Sequence, residues 1–294
     1  MPARDSSRRI AKKDGIVNIL PVAKAVEVSD VIIFCFPDHL HGKVYKKQIA
    51  PNLNPRSALV FLHGFSIHFG TVAPPDDADV ILLAPLAPGK AVREEYIKDR
   101  SVGYFYAVKG KAGRRAHAVL NRLVEHLRID RAKLIRTTFA EEAIGDLFGE
   151  QAVLCGGLSQ LIRAGFETLV ESGLAPDKAY LEVAYQLDLI VGLIKDYGIE
   201  GMFKRVSVAA RYGSYLNKSA IIDPATRKRM KKLLMNIQDG SFARQLNRLT
   251  PDRIKNLNRQ LKNLTNPAFE KAVQKLSDTG RRKKSARSKR RKTF

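Results

Sequence analysis

Val31-Ile-Ile-Phe-Cys-Phe36 is an unbroken apolar run stopped by Pro37-Asp38. Such a run is too short for a buried helix and suits a strand covered on both faces, as in a parallel sheet. The sequence to either side repeats the pattern. Ala58-Leu-Val-Phe-Leu62 ends at His63-Gly64, Val80-Ile-Leu-Leu-Ala84 ends at Pro85, and Val102 to Val108 is a fourth run. Helical stretches lie between them, a short one at Val44 to Ile49 and an amphipathic one at Ala116 to Leu127. Strand, polar turn, helix and strand again predicts an α/β layer domain. Ligands of open α/β sheets bind at the carboxyl ends of strands. His63 stands at such an end, where it either serves a site or caps the turn. His39 and His41 also follow a strand end, although an H-x-H pair without a third ligand is a poor metal signal.

Beyond about Thr138 the period changes. Glu141 to Ser172, Pro176 to Tyr197, Ile199 to Tyr212, Pro224 to Asp239 and Pro251 to Lys262 read as helices, with no strand pattern among them. The expected fold class is therefore α/β plus all-α: residues 1–137 a layered domain, 138–270 a helical domain, and 271–294 a basic disordered tail. A dinucleotide-binding domain normally begins with a strand, a G-x-G-x-x-G turn and a helix. Nothing before Val31 forms that unit, so the first domain reads as Rossmann-like with its first βα unit cut away.

The chain of 294 residues carries a formal charge of +23. Nine Lys/Arg and no acid lie between Thr279 and Phe294, and the remainder is basic as well. The surplus excludes neither fold class but favours anionic ligands, with the tail expected to bind polyanions weakly. No apolar run approaches the roughly 18 residues of a membrane span, and Met1 to Gly15 lacks the apolar segment of a secretory signal. A cytoplasmic protein is expected, with Cys35 and Cys155 as buried thiols in a reducing compartment.

Asp146-Leu-Phe-Gly-Glu150 sets two carboxylates four residues apart, on one face of a helix, where like charges repel unless protons or a cation intervene. A hard ion such as Mg²⁺ takes carboxylate oxygens; an exposed acid pair is the plainer reading. Glu182 and Gln186 repeat the spacing, with an amide in place of the second acid.

At this point a resemblance becomes specific. Asp146-Leu-Phe-Gly-Glu-Gln-Ala-Val-Leu-Cys-Gly-Gly157 resembles the D-L-F-G-E-Q-x-x-L-C-G-G signature of ketol-acid reductoisomerases, and Leu62-His-Gly-Phe-Ser-Ile-His-Phe-Gly70 resembles their A-H-G-F-N-I-H-F-G segment. Ala164 to Gly173, Ala209 to Gly213 and Ile237 to Ala243 follow in the same order, so the likeness runs from about residue 5 to 245. It implies an NADPH-binding α/β domain, a knotted helical domain and a homodimer. It also implies Mg²⁺-dependent alkyl migration and NADPH reduction of 2-acetolactate-type ketol acids to 2,3-dihydroxy acids, in branched-chain amino acid synthesis. Carried over, Asp146, Glu150, Glu182 and Gln186 occupy the metal-ligand positions, His63 that of the active-site histidine and Ser207 that of a substrate contact. Asp38, His39, His41 and Gly89 fall among the cofactor contacts, and Ser6 and Ser7 in the segment that meets the 2′-phosphate.

Two departures are plain. Leu86 stands where the family has a lysine, and Gln186 where it has a fourth carboxylate. Two readings follow: a reductoisomerase with impaired turnover, or a non-catalytic paralogue serving as a dimeric ligand-binding or interaction protein.

Overall fold

The computed structural model describes residues 5–109 and 113–277, and side chains from residue 8 onward. They form two compact units, one running to Leu147 and including Asn236–Leu249, the other comprising Phe148–Met235 and the chain from Thr250.

The first unit opens with helices α1 (Asp5–Lys13) and α2 (Val22–Glu27). Strands β1 (Val31–Phe34), β2 (Ala58–Phe61), β3 (Asp79–Pro85), β4 (Tyr104–Lys109) and β5 (Leu134–Arg136) form one sheet in the order β1-β2-β3-β4-β5. The pairs β1–β2, β2–β3 and β4–β5 are parallel, whereas β4 runs antiparallel to β3. Between strands lie α3 (Asp38–Val44), which continues into a π-turn at Tyr45–Ile49, the single turn α4 (Phe65–His68), α5 (Gly89–Ile97) and α6 (Gly113–His126).

Alternation along the strands builds two apolar layers. Phe34, Leu59, Phe61, Leu82 and Ala84 pack on one face with Val26, Tyr45, Ile49 and Phe139. Ala58, Val60, Ile81, Leu83 and Tyr104 pack on the other with Ala116, Leu120 and Val124 of α6. Each fully buried Leu, Ile, Val or Phe contributes roughly 1.5–3 kcal/mol, so β2 and β3, buried along almost their whole length, anchor the unit.

The structure corrects three expectations here. β1 stops at Phe34, which is its one buried residue, with Ile33 exposed; it is the edge strand of the sheet, and among the described residues one side of it has no neighbour. For the same reason Cys35, just beyond it, is exposed rather than buried, and Cys155 is exposed as well. The sheet is mixed, and β5 is a strand that residue pattern missed.

Helix α7 (Phe139–Gly149) is followed by a π-turn at Glu150–Leu154 and by α8 (Gly156–Glu171). In the second unit come α9 (Pro176–Tyr180), a second π-turn at Leu181–Tyr185, α10 (Leu187–Phe203), α11 (Val208–Leu216) and α12 (Pro224–Gln238). α13 (Ser241–Leu246) belongs to the first unit, and α14 (Pro251–Lys262) and helical residues 267–277 return to the second. Two of the long helices expected from sequence are thus interrupted by π-turns, whereas the break at Gly198, whose φ is 69°, falls between the expected helices ending at Tyr197 and beginning at Ile199. The C-G-G of the signature has a steric reason: a Cβ on Gly156 or Gly157 would collide with the carbonyl oxygens of Gln151 and Ala152, so the wide turn closes only on glycines. Phe166, fully buried, stacks edge-on against Phe269 at 5.2 Å and seeds the second unit's core. Leu189, Val191, Val208, Tyr212 and Leu216 remain exposed.

Candidate functional site

The carboxyl ends of β1 and β2 deliver Asp38 and His63 to the same place in the first unit, and α7 adds Glu142 and Asp146. His63 Nδ1 lies 3.6 Å from Asp38 Oδ2. Its Nε2 lies 3.4 Å from Asp146 Oδ2 and 4.0 Å from Glu142 Oε2. That nitrogen is buried and, despite these nearby carboxylates, makes no hydrogen bond with any described residue, which leaves its N–H able to donate to a bound molecule.

Glu142 was not singled out from the sequence. It lies on the buried stripe of α7 with Phe139, Ala143 and Leu147, while its neighbour Glu141 closes a capping box with Thr138. A carboxylate among the apolar positions of a helix is the signal that would have found it. Its Oε2 accepts the backbone N–H of Gly64. Gly64 has to be glycine: a Cβ there would run into the Phe139 carbonyl and come within 2.8 Å of Glu142 Oε2.

The electrostatics follow from four ionisable groups in a largely dry corner. Burial opposes a charge on His63, but Asp38, Glu142 and Asp146 outweigh it, and its pKa is pushed up to about 9. Burial pushes Glu142 up to about 7, reinforced by Asp146 and Asp38 and opposed by His63 and the Gly64 N–H. Burial works against ionised Asp38 as well, yet His63 and His41 hold it below the ordinary aspartate value. At neutral pH the corner therefore holds an imidazolium beside a carboxyl group poised between its two forms.

The remaining candidates fall in several places. His41 is buried, with Nδ1 2.7 Å from Ser66 Oγ and Nε2 2.7 Å from the Phe36 carbonyl, so both ring nitrogens are engaged within the fold. His39 lies partly exposed on α3. Gly89 opens α5 with open space where a Cβ would be. Ser6 and Ser7 fall in α1, their side chains outside the described residues. In the second unit, Glu150 begins the first π-turn, Gln186 Nε2 donates to Glu182 Oε2 at 3.3 Å, and Ser207 caps α11 by accepting from Ala210 N. The π-turns at Glu150–Leu154 and Leu181–Tyr185 thus each carry one of these carboxylates at or next to the start, Glu150 and Glu182.

The open strand ends and the orphaned His63 nitrogen fit a bound cofactor and substrate. Magnesium is different. The carboxylates are of the right chemistry, but among the described residues no group of three His, Cys, Asp or Glu stands in metal-holding geometry.

Comparison with known proteins decides the family. The NADPH-binding domain of acetohydroxy acid isomeroreductase matches residues 2–129, and the C-terminal domain of ketol-acid reductoisomerase matches residues 139–281. The chain belongs to the ketol-acid reductoisomerase family. A solved NADH-preferring ketol-acid reductoisomerase from an uncultured archean is 36% identical, with a TM-score of 0.85 over 94% of this chain and 83% of that one. A semialdehyde dehydrogenase NAD-binding protein from Cupriavidus necator, solved with calcium and NAD, shares 17% identity over 81% of this chain and 87% of its own, at a TM-score of 0.58. A pyrroline carboxylate reductase from Plasmodium falciparum, solved with NADP, shares 14% over 75% and 80%, at 0.51. These two show the fold alone. The reductoisomerase architecture, a Rossmann-like domain for a nicotinamide cofactor followed by a helical domain, is the one found here. No helix among the described residues is long and apolar enough to cross a membrane.

Proposed function

We propose that this chain is a ketol-acid reductoisomerase that converts 2-acetolactate or a homologous ketol acid to a 2,3-dihydroxy acid in branched-chain amino acid synthesis. The observation that carries the reading is the His63, Glu142, Asp38 and Asp146 cluster at the carboxyl end of the sheet, in a chain whose residues 2–129 and 139–281 match the two domains of the family. When bound, the nicotinamide cofactor supplies hydride and magnesium polarises the ketol oxygens. The chain's own part is proton handling and positioning. Asp38 holds His63 through Nδ1, leaving Nε2–H to donate to a substrate oxygen. Glu142, poised near neutrality, accepts or returns a proton as the ketol hydroxyl gives up its proton to become the new carbonyl, the old carbonyl oxygen gains one, and the new carbonyl is then reduced. Asp38, His39, Gly89, Ser6 and Ser7 are carried forward as cofactor contacts, and Asp146, Glu150, Glu182 and Gln186 as the residues that would hold magnesium.

A homodimer completes the reading. The exposed Leu189, Val191, Val208, Tyr212 and Leu216 of the helical unit supply an apolar face that a second copy would cover, and the family resemblance brings Glu182 and Ser207 of the partner subunit to the site. We place the protein in the cytoplasm, with residues 279–294 free to bind polyanions weakly. Leu86 and Gln186 remove a positive and a negative charge from the family's set, so turnover is expected to be slow.

The test is direct: 2-acetolactate, Mg²⁺ and NADPH or NADH are incubated with the full chain, and the product is followed by mass spectrometry. Enzyme-dependent appearance of 2,3-dihydroxy-3-methylbutanoate supports the proposal. Binding without product over hours would favour the non-catalytic paralogue.

A further inference from the structure

His41 and Ser66 form a buried polar pair that the proton-handling scheme does not use. His41 lies on α3, just past Asp38 at the carboxyl end of β1, and Ser66 lies on α4, just past His63 at the carboxyl end of β2. Both are buried, Ser66 completely. The imidazole fills a pocket of phenylalanine rings. It stands edge-on to Phe34 and Phe36, with centroids 5.2 Å and 4.5 Å away, and Phe61 lies at 6.2 Å. A polar side chain in such apolar surroundings is costly unless its polar atoms are bonded.

The bonds fix the tautomer. His41 Nε2 lies 2.7 Å from the Phe36 carbonyl oxygen, which can only accept, so Nε2 carries the proton. Burial holds the ring neutral at neutral pH. Nδ1 therefore keeps its lone pair, and the Ser66 hydroxyl, 2.7 Å away, donates to it. Ser66 is itself held in place: its carbonyl accepts from the Val72 backbone N–H at 3.0 Å and from the Thr71 hydroxyl at 3.2 Å. α3 meets the same stretch closely, since a Cβ on Gly42 would come within 2.8 Å of the Thr71 carbonyl oxygen. The two strand ends are thus tied together through His41. The consequence falls on Asp38, whose Oδ1 lies 3.7 Å from His41 Nδ1 and whose Oδ2 lies 3.6 Å from His63 Nδ1. With Nδ1 of His41 unprotonated and engaged by Ser66, His41 offers Asp38 no proton, and the carboxylate is left to His63.

We propose that His41 is a positioning residue of the reductoisomerase site: held between the Phe36 carbonyl and Ser66, it sets the Asp38 carboxylate against His63 and reserves it for that imidazole. The inference rests on the reading of His63 as the group that donates to substrate. A working histidine is commonly oriented by a carboxylate; here a further imidazole, in one fixed tautomer, orients the carboxylate.

Heteronuclear NMR of the imidazole groups on the full chain at neutral pH, paired with steady-state kinetics, separates this role from packing. His41 should show a protonated Nε2 and a bare Nδ1. Ser66→Ala, which removes one oxygen, should shift the His63 Nδ1–H resonance and lower kcat about tenfold with little change in KM. His41→Leu should do at least as much. His41→Gln, which keeps one donor and one acceptor, should restore most of both. Val124→Ala, a cavity on the other face of the sheet, is the control: it should lower Tm while leaving the His63 resonance and kcat as in the wild type. The proposal is overturned by an Nδ1-protonated His41, by a His63 resonance unchanged in Ser66→Ala, by a His41→Gln protein no closer to wild type than His41→Leu, or by Val124→Ala reproducing the Ser66→Ala effects. Ser66→Ala keeps the test decisive if His41→Leu does not fold. The resonances need no turnover, so a wild-type chain that makes no dihydroxy acid would refute the proposed function while they still decide this inference.

Discussion

Glu142 and Gly64, separated by 78 residues in sequence, are joined by a hydrogen bond from the Gly64 backbone N–H to the Glu142 carboxylate. This bond fastens the strand end that carries His63 to the helix that carries Asp146. It exists because Gly64 has no Cβ to hold Phe139 and Glu142 away. Gly64→Ala should therefore cost about 3 kcal/mol, or roughly 10 °C in Tm, through overpacking against backbone that cannot give way. Differential scanning calorimetry checks this. An unchanged Tm would mean the loop has room that the geometry denies.

Glu142→Gln keeps the shape and removes the charge. Glu142 is one of the carboxylates that hold His63 up at about 9, so the His63 midpoint should fall toward its ordinary value of 6.5. Proton NMR of the imidazole across pH 5 to 10 reads it out. If Glu142 also handles the substrate proton, kcat should drop about a hundredfold with little change in KM. A midpoint that stays near 9 would show that Asp38 and Asp146 suffice.

His41 gives a prediction about acid stability. Burial lowers its pKa below 6.5, so the folded state resists a proton that the unfolded chain accepts. The contribution is fully present above pH 6.5 and is lost as the pH falls from there through the depressed folded value. Wild-type Tm should decline across that window, whereas His41→Gln should start lower and show a shallower slope. Parallel slopes would place the acid sensitivity elsewhere.

Leu86 is exposed at the end of β3, with its side chain close to Gly103. A lysine stem can lie along the same path with its ammonium in solvent, so Leu86→Lys should move Tm by less than about 2 °C. Combined with Gln186→Glu it restores both charges of the family pattern. Turnover of acetolactate should rise by up to about a hundredfold. Absence of any gain would trace the slow step to another cause.

What the sequence disclosed depended on burial. β2 and β3 are covered on both faces and announce themselves as continuous apolar runs, so their limits were legible within a residue or so. β1 produced the same pattern although only Phe34 is buried, because residue type records neither an edge nor a missing neighbour. β5 has three residues, one of them arginine, too short to register. The antiparallel course of β4 is a property of how the chain crosses over, and no residue encodes it locally. His63 and Asp38 were reached through strand ends and family likeness. Glu142 carries no spacing signal of the kind Asp146 and Glu150 share; what marks it is its place as an acid on the apolar stripe of the same helix. The π-turns at Glu150–Leu154 and Leu181–Tyr185 involve one extra residue per turn, a change of hydrogen bonding that apolar periodicity absorbs without trace.

The edge strand β1 has a colloidal consequence. Val31–Phe34 carries no charge, proline or bulge, the usual guards against joining with another sheet, and among the described residues nothing pairs with its outer side. The guard has to come from the molecule as a whole, whose net charge of +23 makes two copies repel before their edges can meet. That repulsion reaches roughly 10 Å at 0.1 M salt and about 3 Å at 1 M. Ionic strength therefore acts as a valve on edge-to-edge aggregation: dilute buffer keeps the β1 edges of separate dimers apart even when they are concentrated, and added salt removes the barrier that the strand itself does not provide.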